Sequence, residues 1–87
     1  MIVRIMADAQ YRLTDDAFDR LRVLDDDLLA ALESNDEAAF RRIFHDAVAI
    51  VRTGDRLGEQ VLEPSDLVLP PEETKLEEAK RLLGLTQ

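Results

Sequence analysis

Residues 24–40 read LDDDLLAALESNDEAAF, and the fold class depends on what the chain does in the middle of them. Ser34 is followed three residues later by Glu37, the spacing of a capping box. In such a box the hydroxyl and the carboxylate each satisfy a backbone N–H that a helix start leaves free. One helix therefore ends near Glu33 and another begins at once. Upstream, Thr14 is a good N-cap, and Asp15 and Asp16 suit the positive end of a helix. At about 100° per residue, Ala17, Phe18, Leu21, Leu24, Leu28 and Leu32 fall on one arc. Downstream, Phe40, Ile43, Phe44, Ala47, Ile50 and Val51 line a second apolar face, which Gly54 after Thr53 brings to a stop. With so short a connection, the two amphipathic helices must pack antiparallel.

On the N-terminal side, MIVRIM, ADAQ and YRLT read as a β-hairpin with Val3, Ile5, Tyr11 and Leu13 on its inward face. A lone hairpin is marginal in water, so it must lie on the helices or gain a strand. On the C-terminal side, residues 55–65 read as an ordered loop that brings Leu57, Val61 and Leu62 across the core. Leu67, Val68 and Leu69 then make a short third strand, which Pro70 and Pro71 end because neither can donate to a ladder. Thr74 and Glu77 repeat the capping-box spacing, and Leu76, Ala79, Leu82 and Leu83 form a narrow stripe on a short last helix closed by Gly84. The expected fold is α+β: an N-terminal β-hairpin, an antiparallel helix pair, a short third strand and a short C-terminal helix, all in one domain spanning residues 1–87.

Composition narrows the function. With 46% hydrophobic and 34% charged residues, the chain has enough apolar matter for a core despite a net charge of −8. It has no cysteine, which removes disulfides, thiolate metal sites and thiol catalysis and suits a reducing cytoplasm. Apolar runs fall well short of the roughly 20 residues of a membrane span, and MIVRIM is too short for a signal peptide, so direct membrane insertion is not expected. The acidic balance also opposes nucleic acid, whose binders must neutralise phosphates with Lys and Arg.

Three segments, MIVRIM, LDDDLLAALESNDEAAF and PSDLVLPPEETKLEEAKRLL, resemble in their order and spacing the PspA-associated protein family, PspAA. The resemblance extends over nearly the whole chain, and PSDLVLPP is its most distinctive part. It implies a role in a cytoplasmic envelope-stress (phage shock) system whose main partner is a coiled-coil membrane-remodelling protein of the PspA type. Such a partner would recruit the chain to the inner membrane face. The resemblance brings no enzymatic activity, cofactor or residue roles.

The residues themselves offer few chemical constellations. Asp25, Asp26 and Asp27 point about 100° apart on a helix and cannot converge on one cation. Asp25 differs in falling inside the apolar arc, where its carboxylate either anchors a neighbouring loop by accepting backbone N–H groups or lies at the edge of the helix contact. His45 is the single histidine, which removes His-pair metal sites and makes a serine triad improbable. No metal, cofactor or catalytic residue is expected.

Docking is the reading that remains. Asp15, Asp19, Asp26 and Glu33 share one face with only Arg22 among them. Residues 15–33 carry a net −5, whereas residues 34–53 are neutral. Arg41, His45 and Arg52 form a possible basic strip on the second helix, and Leu76 and Leu83 an apolar one on the last. These nine residues are the candidate partner contacts. Short strands also leave an edge at residues 1–6 that a second copy could extend into a homodimer. Two rival classes are disfavoured: a small carboxylate-based enzyme gathering Asp25 with another ionisable group, and a DNA-binding regulator using Arg41, Arg42 and Arg52.

Overall fold

The computed structural model describes residues 1–58 and 63–82. The order of elements is β1 (Ile2–Ile5), β2 (Gln10–Arg12), α1 (Asp15–Glu33), α2 (Glu37–Arg52), β3 (Asp55–Arg56), β4 (Leu67–Leu69) and α3 (Leu76–Leu82), an α+β fold. Thr14 caps α1 as its sequence suggests, its hydroxyl accepting the Ala17 N–H at 3.2 Å. Both helices bury the faces their periodicity marks, including Phe18, Leu21, Leu28 and Leu32 on α1 and Phe40, Phe44, Ala47 and Val51 on α2. Phe40 and Phe44 lie tilted against each other with ring centroids 5.4 Å apart.

The joint between the helices differs from the expected capping box. Ser34 ends α1 rather than starting α2, and its hydroxyl donates to the Ala31 carbonyl. Asn35 adopts a left-handed backbone with φ of 56°, donating its N–H to Leu32, while the Asp36 N–H reaches back to Ala31. These two bonds make a Schellman stop, in which asparagine tolerates the left-handed position. Asp36 then caps α2, accepting the Ala39 N–H at 3.1 Å. The reversal is therefore tighter than a Ser34 cap would give, because one left-handed residue serves as the stop and its neighbour as the next start.

Among the described residues the strands form a four-stranded sheet in the order β3-β2-β1-β4. β1 and β2 are the expected hairpin, and Val3, Ile5, Tyr11 and Leu13 are all buried against the helices. The expected third strand is β4, and it lies parallel to β1, with Val3 opposite Leu67 and Ile5 opposite Leu69. β3 is an addition, a two-residue pairing with β2 where a loop was expected. Of that loop's three apolar residues, Leu57 is partly buried, and Val61 and Leu62 lie outside the described residues. Gly54 admits this return: a Cβ there would stand 2.4 Å from the Arg12 carbonyl oxygen, so only glycine lets α2 end so close to β2.

The parallel strand is held at its start by one side chain. Asp66 donates its backbone N–H to the Ile2 carbonyl at 2.7 Å, and its carboxylate accepts the Ile2 N–H, also at 2.7 Å. Beside it, the Gln10 amide donates to the Ser65 hydroxyl at 2.9 Å and the Glu63 carbonyl at 3.0 Å. Residues 63–66 thus run over the outer face of the sheet, which explains why Gln10 and Ile2 are buried on the side opposite the helices. α3 begins at Leu76, one position later than a Thr74 cap requires, and Thr74 is itself buried. Leu76 and Ala79 enter the core.

The position of β1 corrects one expectation outright. Residues 2–5 are interior, flanked by β2 and β4, so the edge proposed for homodimerisation is already occupied by the chain's own strand.

Two stability changes should follow. Asp66→Ala leaves the Ile2 N–H without its acceptor and is expected to cost about 1–3 kcal/mol in urea melts. It should also speed amide exchange at Met6, whose N–H donates to Leu69 across the same pairing. Glu73→Ala, at an exposed position, should stay within about 0.5 kcal/mol. In the β1–β2 turn, Ala7 carries a φ of 64°. Ala7→Gly should therefore stabilise by about 0.5–1 kcal/mol, contrary to the usual effect of added glycine.

Candidate docking surface

The eight candidate contacts that lie among the described residues do not form one surface. Asp15, Asp19, Asp26 and Glu33 all lie exposed on the outer side of α1, as helical spacing requires. Among the described residues none of these four has an ion-pair partner, whereas Asp8, Glu37, Glu63 and Glu72 are each matched to an arginine. Two aliphatic side chains accompany them: Val23 is 61% exposed and Leu29 41%. Both could have been found in the sequence, since Val23 falls off the apolar arc and Leu29 at its margin, beside the acids.

The strip on α2 is not a free basic surface. Arg41 bonds Glu37 one turn earlier at 2.8 Å. Arg52 holds both carboxylate oxygens of Glu72, at 3.1 and 2.8 Å, and also Asp8 at 3.0 Å. These hydrogen bonds, those to Glu72 first, drive its already high pKa further up. A single guanidinium thereby ties the end of α2 to the β1–β2 turn and to the segment leading into α3. His45 is exposed at the rim of a cleft of about 350 Å³ floored by Phe40, Phe44 and Val48. That rim mixes Glu37, Glu72 and Glu73 with Arg41, His45 and Lys75, so it favours neither sign. The Arg52 clamp escaped sequence reasoning because its partners lie 20 and 44 residues away.

On α3, Leu76 is only 8% exposed and belongs to the chain's own core, and Leu83 lies outside the described residues. Lys80 further ties α3 to the helix joint by donating to the Asn35 side chain.

Asp25 is partly buried as expected, and among the described residues its carboxylate accepts no hydrogen bond. Its pKa is raised, first by burial and then by the neighbouring charge of Asp26. Among the described residues no group of three or more His, Asp or Glu side chains is placed to hold a metal ion, and no helix is long and apolar enough to cross a membrane.

Against this geometry, one family model matches residues 1–87, the whole chain, and its description is PspA-Associated protein. The chain belongs to the PspAA family. No curated protein and no solved structure matches it. For this PspAA chain, then, the outer side of α1 carries four exposed acids flanked by two exposed aliphatic side chains, Val23 and Leu29.

Asp25 supplies a check on the electrostatics. Because the folded state raises its pKa above the ordinary 3.8, folding favours the protonated form. Ionised Asp25 therefore opposes folding at neutral pH, and this penalty fades as pH falls through the raised pKa towards the unfolded value. Asp25→Asn should stabilise at pH 7 by less than about 1 kcal/mol, since the site is partly solvated. The gain should shrink as pH falls and vanish by about pH 3, below the unfolded value, measured by urea melts at pH 7 and about pH 3.

Proposed function

We propose that this PspAA chain is a non-enzymatic adaptor that docks, as one unit of residues 1–87, onto a PspA-type coiled-coil protein of the envelope-stress response. The observation that carries the proposal is the family match over the full length, whose description names association with PspA. The layout of the surface supports it. Residues 15–33 have a net charge of −5, and their outward acids lack partners among the described residues. Such a face raises the encounter rate with a basic partner, because opposite potentials steer the approach. The helix pair beneath it is the rigid platform. The chain acts in the cytoplasm and reaches the inner membrane face through its partner, without inserting itself.

The partner protein encoded by the same organism provides the test. Association measured by surface plasmon resonance should be detectable at about 0.1 M salt and weaken at least about tenfold towards about 1 M, as the Debye length shrinks from about 10 to about 3 Å. Most of the change should lie in the on-rate. No complex at the lower salt would refute the adaptor role.

A further inference from the structure

We infer that α1 docks lengthwise into the groove between two helices of its coiled-coil partner, with its acids directed into a groove lined by Lys and Arg. This inference rests on the adaptor reading and specifies its geometry. Asp19, Asp26 and Glu33 are spaced seven residues apart on α1, and all three are exposed. Successive members of this row are therefore about 10.5 Å apart along the axis. They drift by only about 20° per step, so they form a nearly straight ridge with the period of a heptad coil.

The exposed aliphatic side chains lie on both shoulders of that ridge. Asp26 is three residues from Val23 and three from Leu29, which places one about 60° to each side of it. Val23 and Leu29 are thus about 120° apart around the axis. A single helix packed at 8–10 Å covers a narrower seam and would leave one of them in water, whereas two helices side by side can each cover one.

Charge complementarity identifies the lining. The face offers Asp15, Asp19, Asp26 and Glu33 against Arg22 alone, and among the described residues the four acids have no partner in the chain. The groove of a two-helix coiled coil is bordered by its e and g positions, which commonly carry charged side chains. Lysine and arginine there present ammonium or guanidinium groups to the ridge, while their methylene stems cover Val23 and Leu29. The acids remain near the groove mouth, where pairing does not require full desolvation.

The test uses the full chain with the PspA-type protein and a photo-reactive residue at position 23, 26 or 29. Position 26 should capture residues on both partner helices, and positions 23 and 29 should capture different helices. Capture of one and the same helix from positions 23 and 29 would overturn the groove geometry. In parallel, the triple variant Asp19→Lys, Asp26→Lys, Glu33→Lys should lose at least about 30-fold in affinity through like-charge repulsion. Its thermal midpoint should stay close to that of the parent, because the three positions are exposed. A complex that forms normally with the triple variant sinks this inference alone. Failure of the parent chain to bind refutes the adaptor reading and this inference together.

Discussion

The parallel pairing of β4 with β1 is the constraint on which the rest of the structure depends. A hairpin of four and three residues cannot bury enough surface to persist alone. Pairing on the second side of β1 makes it an interior strand and brings Leu69 onto Val3 and Ile5 in the core. A parallel partner cannot be supplied by a tight turn, so the chain must travel from β3 back across the sheet before entering β4. Asp66 ends that journey by exchanging hydrogen bonds with both backbone groups of Ile2. The distinctive PSDLVLPP element thereby acquires a physical meaning. Its serine and aspartate fasten the crossing segment, its aliphatic triplet makes the strand, and Pro70, which is buried, ends it.

What could be read from the sequence follows from how local each determinant is. Helix faces depend on spacing within one element, so Leu21, Leu32, Phe40 and Phe44 lie where periodicity puts them. The inward residues of the hairpin follow from alternation in the same way. The joint was harder, because Ser34, Asn35 and Asp36 can each cap a helix, and the choice among them turns on which residue takes the left-handed backbone. Strand direction was not legible at all: three residues, LVL, pair equally well either way until the side from which residues 63–66 approach β1 is known. The Arg52 clamp was hidden for the same reason, since its partners meet only after β4 has docked.

An apolar stripe after a proline pair looks like an adjustable arm, but Leu76 and Ala79 are buried, Glu72 is held by Arg52, and Lys80 reaches Asn35. The segment acts as a brace against the helix pair. Individually these exposed ion pairs contribute little, and the burial of Leu69, Leu76 and Ala79 is the larger effect. The brace packs against both helices, and the outer side of α1 stays exposed along its length.

That uncovered face has a cost that the fold does not offset internally. Acids at heptad spacing repel one another with only Arg22 among them, and the paired arginines serve other acids, Arg41 serving Glu37, Arg52 serving Glu72 and Asp8, and Arg12 serving Glu63. Redistributing those cations onto α1 would relieve the repulsion without disturbing any buried contact, because the outward positions are exposed. A partner supplying the missing positive charge would relieve it too, and would gain more from the exchange than a neutralised surface could offer. On the adaptor reading proposed above, this arrangement trades a little stability of the isolated chain for association, and specificity would rest on the spacing of the charges along α1 rather than on any pocket.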